Sequence, residues 1–214
     1  MAGKEKGKIS DAVIRRLPRY RRCLDGLMKA GVERISSGEL SAMIGYTASQ
    51  IRQDLNNFGG FGQQGYGYNV KSLYERIGEI LGLDREYKMV IVGAGNLGSA
   101  LVNYAKYQKW GFYIVAMFDV LPELIGTSIN DTPVYSYTQL DQYLQENKID
   151  IGVICTGKGA APEVMDKLVA GGVKGIWNFA ATDLSAPEGI PLENVHLSDS
   201  LNALTYYMLR SNPE

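Results

Sequence analysis

The residues Gly93, Ala94, Gly95, Asn96, Leu97 and Gly98 have the spacing G-x-G-x-x-G. That spacing does chemistry only in one setting, where a strand precedes it and a helix follows. Lys88 to Val92 is a short apolar run of strand type, and residues 96–109 are helical in pattern, so the setting is met. Each glycine then has a task. Gly93 permits the tight turn, Gly95 lets the backbone approach a pyrophosphate, and Gly98 packs the helix on the strand. Asp119 ends the next strand, 24 residues past Gly95, where a carboxylate accepts from adenosine ribose hydroxyls. No cation follows it, since the next residues are Val120, Leu121 and Pro122, which favours NAD(H) over a 2′-phosphorylated form. Thr156, Gly157 and Lys158 follow a third strand, at the carboxyl end where open α/β sheets bind ligands. Lys158 reads equally as a phosphate contact or a solvated loop residue. Asn178, Phe179, Ala180 and Ala181 follow a fourth strand and offer an apolar wall with one polar handle for a nicotinamide, or plain core packing.

A second set of residues has the types that read DNA. Ser36 with Glu39, and Thr47 with Gln50, are two capping boxes. They open two short helices across the turn at Gly45 and Tyr46, a helix-turn-helix arrangement. In the second helix Ile51 and Leu55 share the inner face, while Ser49, Gln50, Arg52, Gln53 and Asn56 point elsewhere. Gln and Asn pair with adenine and Arg with guanine, although any one of these also fits a solvated face. Arg15 and Arg16 belong to the densest basic stretch, in which the first 22 residues hold eight Lys and Arg. Phe61, Gly62, Gln63, Gln64 and Gly65 lie in a glycine- and aromatic-rich segment that reads as a linker or as a hairpin. The alternation of Tyr66, Tyr68 and Val70 favours the hairpin, which directly after a recognition helix is a wing.

These residues must be positioned by two architectures. Residues 1–88 hold 15 Lys and Arg against 10 Asp and Glu, whereas residues 89–214 hold 7 against 13. A basic module that meets an anion is thus joined to an acidic one. The expected fold class is α/β: a winged helix-turn-helix domain over residues 1–84 and a Rossmann-like parallel-sheet domain over 85–198, with strands at 88–92, 112–118, 149–155, 175–178 and 195–197. A C-terminal helix occupies 199–214. In the first domain a helix spans 10–30, with Ser10 as a cap and a restart at Leu17-Pro18, and another spans 71–82. The last helix sets Leu201, Leu204, Tyr207 and Met208 on one face, either folded back or docked on a second subunit in a homodimer.

Other classes fit poorly. No apolar run approaches a membrane span, and the polar start lacks a signal peptide's core. Cys23 and Cys155 read as buried thiols in a reducing cytoplasm, and one His with two Cys is too few for a zinc site. No Tyr has a Lys four positions later, and the single His196 lies in a short edge segment, so no catalytic residue is assigned. An NAD-dependent oxidoreductase and a coenzyme A-type nucleotide-binding protein stay open as alternatives.

Longer stretches carry a resemblance. Ser36-Ser-Gly-Glu-Leu40, Gly45-Tyr-Thr-Ala-Ser-Gln-Ile-Arg-Gln-Asp-Leu55, Phe58-Gly-Gly-Phe-Gly62 and Gly65-Tyr-Gly-Tyr68 resemble the winged helix of the Rex redox-sensing transcriptional repressors. Gly93 to Ala100, Phe118-Asp-Val120 and Gly175-Ile-Trp-Asn-Phe-Ala180 resemble that family's Rossmann domain, and Leu201 to Leu209 its closing helix. The resemblance implies a homodimer that represses fermentative and respiratory genes, with the closing helix exchanged between subunits. Such a protein binds operator double-stranded DNA when NADH is scarce and releases it when NADH binds. It places Arg52 on DNA, the glycines and Asp119 on NAD(H), Asn178, Phe179 and Ala180 near the nicotinamide, and Tyr104 near the subunit interface. Two positions depart from it: Gln63-Gln64 stand where the family's wing carries Lys-Arg, and Ala181-Thr182 follow where the family has Pro.

Overall fold

The computed structural model describes residues 9–63, 66–104 and 107–211. The chain divides into two compact units, Met1–Arg85 and Glu86–Glu214.

The first unit opens with α1 (Asp11–Lys29), which buries Val13, Leu17, Tyr20, Leu24 and Leu27 along one face. Ser10 occupies the cap position, but its side chain makes no capping bond. Pro18 does not restart the helix; α1 runs through it. The lost backbone bond is offset by the fully buried Leu17, Tyr20 and Leu24 around it. After β1 (Arg34–Ile35), α2 (Ser37–Ile44) starts in a reciprocal capping box between Ser36 and Glu39 and ends at Gly45. α3 (Ala48–Asn56) starts where the Thr47 hydroxyl accepts from the Gln50 N–H. β2 (Gly62–Gln63) and β3 (Gly67–Asn69) pair antiparallel, and β1 adds to β3, giving the order β1-β3-β2. Val70 is not the end of this strand: Asn69 caps α4 (Val70–Ile80), which starts at Val70. Leu40, Ile51, Leu55, Leu73 and Ile77 meet the α1 face in one core.

The second unit is a seven-stranded sheet of order β10-β9-β8-β4-β5-β7-β6. Its strands are β4 (Tyr87–Val92), β5 (Phe112–Asp119), β6 (Ser128–Ile129), β7 (Thr132–Ser136), β8 (Ile151–Ile154), β9 (Gly175–Asn178) and β10 (Leu192–Asn194). All neighbours are parallel except β6 with β7. From β4 the chain builds outward to β5 and β7, then crosses back to β8 on the other side. The crevice between β4 and β8 is therefore the switch point at which such sheets bind ligands. α6 (Leu140–Glu146) and α7 (Ala161–Ala170) bury Leu140, Leu144, Val164 and Leu168 in a core that contains Val90, Val92, Ala116, Phe118 and Ile154.

Four expectations differ from the structure, and one element was not anticipated. α5 is Asn96–Val102, not 96–109, and a separate 3-10 turn covers Gln108–Trp110. The last strand is Leu192–Asn194 rather than 195–197, because its partner β9 aligns Leu192 with Ile176 and Asn194 with Asn178. The last helix, α8 (Leu197–Ser211), starts two residues before Asp199. The β6–β7 hairpin was missed; its turn holds Asn130 and Asp131 at φ 47° and 62°. Cys23 and Cys155 are free and half-buried rather than buried. No helix among the described residues is long and apolar enough to cross a membrane.

Candidate functional sites in the two units

In the second unit a cleft of about 400 Å³ lies at the carboxyl ends of β4, β5 and β8. It is lined by Gly93, Gly95, Asp119, Val120, Leu121, Tyr137, Cys155, Thr156, Gly157 and Ala160 among others. The sequence builds it as follows. Gly93 has φ 103°, and a Cβ there would sit 2.6 Å from the Cys155 carbonyl oxygen, so the β4 loop closes on the β8 loop only with glycine. At Gly98 a Cβ would collide with the Gly93 carbonyl, so a bare residue lets α5 approach β4. Gly95 differs: a Cβ there would meet no protein atom.

Asp119 is buried at 9% exposure, and its carboxylate is the anchor of this loop. Oδ2 accepts from the Ala94 N–H at 2.6 Å, and Oδ1 accepts from the N–H groups of Val120 and Leu121 at 2.7 and 3.0 Å. Asn96 and Leu97 open α5, whose first N–H groups have no intrahelical acceptor. The Thr156 hydroxyl is buried with no hydrogen-bond partner among the described residues. A buried hydroxyl left so is costly, and a polar ligand group in the cleft would satisfy it. Lys158 is exposed and does not line the cleft. Burial pushes the Cys155 thiol up to about 12, so it is neutral and no nucleophile at neutral pH. Burial and the bond to Glu163 push the Tyr137 hydroxyl up to about 12 as well.

Asn178 is corrected. It is fully buried; its amide donates to the Thr182 carbonyl and the Asn194 Oδ1, both at 2.8 Å, and accepts from the Ala180 N–H at 2.9 Å. Its donors are committed to the loop after β9, so it is no free handle for a nicotinamide. Ala180 is 2% exposed and packed in the α6–α7 core, so it does not line a ring either. Phe179 is half-buried against Trp177, ring centroids 4.6 Å apart, and its N–H bonds the Ile154 carbonyl beside Cys155. Ala181 is exposed.

In the first unit the outer face of α3 presents Ser49, Arg52, Gln53 and Asn56, all exposed, with Gln50 half-buried. The Arg52 guanidinium donates to the Ser37 hydroxyl at 2.8 Å. Arg16 is corrected as a DNA contact. Its fork grips the Asp54 carboxylate, Nε to Oδ2 at 2.6 Å and Nη2 to Oδ1 at 2.8 Å. Arg15 is exposed and pairs with Asp11 one turn earlier. Phe61 packs half-buried against the unit's core. Gln64 and Gly65 lie outside the described residues, as do the side chains at 62 and 63. Asp54 was missed although it sits in a quoted motif. The signal was its spacing, because Ile51, Asp54 and Leu55 fall on one helix face.

Among the described residues α8 buries none of its side chains. Leu201, Leu204, Tyr207 and Met208 are 62%, 52%, 64% and 57% exposed. Tyr104 is 43% exposed and its ring lies against Tyr107. A separate apolar hollow of about 480 Å³, lined by Met89, Tyr107, Trp110, Ile151, Trp177 and Leu192 among others, lies toward the amino ends of the strands, away from the cleft.

A winged helix-turn-helix unit joined to a parallel-sheet unit with a glycine-floored switch-point cleft defines a class, the DNA-binding regulator with a nucleotide-binding fold. Comparisons with known proteins are specific on this point. Residues 8–56 match the family described as putative DNA-binding protein N-terminus, and residues 84–182 match the CoA binding domain. The redox-sensing transcriptional repressor Rex of Clostridium novyi (strain NT) is 57% identical over 204 residues, covering 95% of this chain and 97% of that one. The protein of the same name from Clostridioides difficile (strain 630) is 56% identical over 200 residues, covering 94% and 95%. Among solved structures, RSP in complex with beta-NAD+ and operator DNA is 53% identical, with a TM-score of 0.89 over 95% of this chain and 94% of that one. RSP in complex with beta-NADH is 50% identical, with the same TM-score over 95% and 96%. The chain belongs to the Rex family of redox-sensing transcriptional repressors.

Proposed function

We propose that this chain is a homodimeric, cytoplasmic repressor that binds operator DNA through its first unit and NADH or NAD through its second, and that it catalyses no reaction. The observation that carries the reading is the cleft. Its glycine floor, its buried carboxylate and the unpartnered Thr156 hydroxyl fit a dinucleotide, and a relative 53% identical was solved with beta-NAD+ and operator DNA. In this reading the loop at Gly93–Gly98 faces the pyrophosphate, with Gly95 leaving room for it. Asp119 holds that loop and offers its remaining lone pairs to the ribose. Thr156 supplies a hydrogen bond. Arg52, Ser49, Gln53 and Asn56 contact DNA, and α8 with Tyr104 meets the second subunit. The bound nucleotide supplies a redox signal rather than a hydride, in line with relatives named redox-sensing transcriptional repressors.

The match of residues 84–182 to the CoA binding domain supports a second ligand class, coenzyme A. One experiment separates the readings. A duplex selected from a random pool by the protein is titrated while NADH, NAD or coenzyme A is added. The proposal expects release by NADH at the lowest concentration. Release by coenzyme A alone, turnover of a carbonyl substrate, or failure to select any duplex would each refute it.

A further inference from the structure

The recognition helix carries a charge on the wrong face. Asp54 is 2% exposed and sits between Ile51 and Leu55, which are 0% and 1% exposed. Its carboxylate accepts both arms of the Arg16 fork and, at 2.5 Å, the Tyr20 hydroxyl. Arg16 and Tyr20 are four residues apart on α1 and so share one face. Burial works against the charge on Asp54, but the bonds from Arg16 and Tyr20 outweigh it and hold the carboxyl below its ordinary range. Tyr46, in the turn before α3, joins the same contact. Its ring lies edge-on to Tyr20 at 5.8 Å, with the Arg16 and Arg19 guanidiniums 5.9 and 5.2 Å from its centroid.

Stability alone does not explain this cluster. Replacing a buried ion pair with apolar side chains of similar volume is often neutral or favourable. What apolar packing does not supply is direction. A two-pronged guanidinium–carboxylate contact is planar and fixed in register, whereas leucines slide and rotate on one another. Successive residues of a helix differ by about 100° in direction, so rotation at Asp54 sets where Arg52, Gln53 and Asn56 point. We infer that Asp54, held by Arg16 and Tyr20, is the positioning residue of the recognition helix, and that the triad determines base discrimination rather than DNA affinity as such. The inference rests on the operator-binding reading above.

The test uses the full chain and two duplexes, one selected from a random pool by the wild-type protein and one with that sequence scrambled. The double variant Arg16→Met with Asp54→Leu removes both charges and keeps the volume. It should melt within a few degrees of wild type and keep its NADH affinity and its affinity for the scrambled duplex. Its preference for the selected duplex should fall about tenfold or more. A purely structural role predicts that the preference recovers along with the melting temperature, and an unchanged preference would overturn the inference. Tyr20→Phe, which removes one hydroxyl and no carbon, decides the matter if the double variant does not fold: a several-fold loss of preference supports positioning, and none overturns it. A wild-type protein without preference would sink the operator reading, and this inference with it.

Discussion

At the scale of single residues, the structure gives each candidate side chain a surrounding that sharpens what its loss should do. Asp119 holds the Ala94 N–H as well as lining the cleft. Asp119→Ala should raise the NADH dissociation constant about tenfold or more, the loss expected when a charged hydrogen-bond acceptor is removed. It should also narrow the gap to NADPH, whose 2′-phosphate would meet a carboxylate in the wild type on the proposed reading. Equal NADH and NADPH affinities in the wild type would contradict the assignment. Arg52→Ala should weaken binding to the selected duplex by about 1–3 kcal/mol and leave NADH affinity unchanged. A gel-shift titration reads the first quantity and fluorescence the second. His196 is the only histidine. Its ring bonds Asp183 at 2.8 Å just before α8 begins, and that contact raises its pKa above the ordinary value. The pair therefore contributes fully below about pH 6.5 and is lost as pH rises through the raised value. The single imidazole C2–H resonance should titrate above 6.5 in the wild type, and at a lower pH in Asp183→Asn. Identical midpoints would show that the contact is absent in solution.

At the scale of elements, local signals were legible where local chemistry makes the structure. Ser36 and Thr47 accept the bonds that start α2 and α3, and the glycine spacing starts α5. What was not legible depends on partners distant in sequence. Arg16 and Asp54 are 38 residues apart, so no window of sequence shows that a basic residue is claimed by the core. The fixed bonds of Asn178 come partly from Asn194, on the neighbouring strand. The β6–β7 hairpin is a different case. Asn130-Asp131 is a two-residue turn signal, but strands of two and five residues beside it are too short to show a period. α8 is legible as an amphipathic helix, and it exposes Leu197, Leu201, Leu204 and Met208 along one side. Burial of such side chains is worth about 1.5–3 kcal/mol each. Truncation after Asp199 removes three of the four. It should leave a monomer or an aggregate with little affinity for the selected duplex. A truncated chain that still sediments as a dimer would show that α8 does not hold the subunits together.

At the scale of the whole molecule, the proposed function joins a basic half to an acidic one through a redox signal. NAD and NADH share adenosine, ribose and pyrophosphate, so on the proposed reading the cleft at Gly93, Gly95 and Asp119 should serve both. They differ at the nicotinamide, which is cationic in NAD and neutral in NADH. Of the residues expected to line it, Phe179 and Ala181 keep exposed surface, and neither offers a carboxylate. Burying an unpaired cation is costly, so the neutral ring should bind more tightly. A ligand moves a two-state equilibrium only through its differential affinity for the two states. NADH should accordingly favour the state of the dimer whose two recognition helices do not match the spacing of operator half-sites. By reciprocity the DNA must weaken NADH binding by the same factor by which NADH weakens DNA binding. The measurement that tests this most directly is the NADH dissociation constant with and without a saturating selected duplex. The account predicts a weaker constant in the presence of DNA, by a factor equal to the loss of DNA affinity that NADH causes. Equal constants would mean that the two sites are uncoupled, and the chain would then bind both ligands without sensing either through the other.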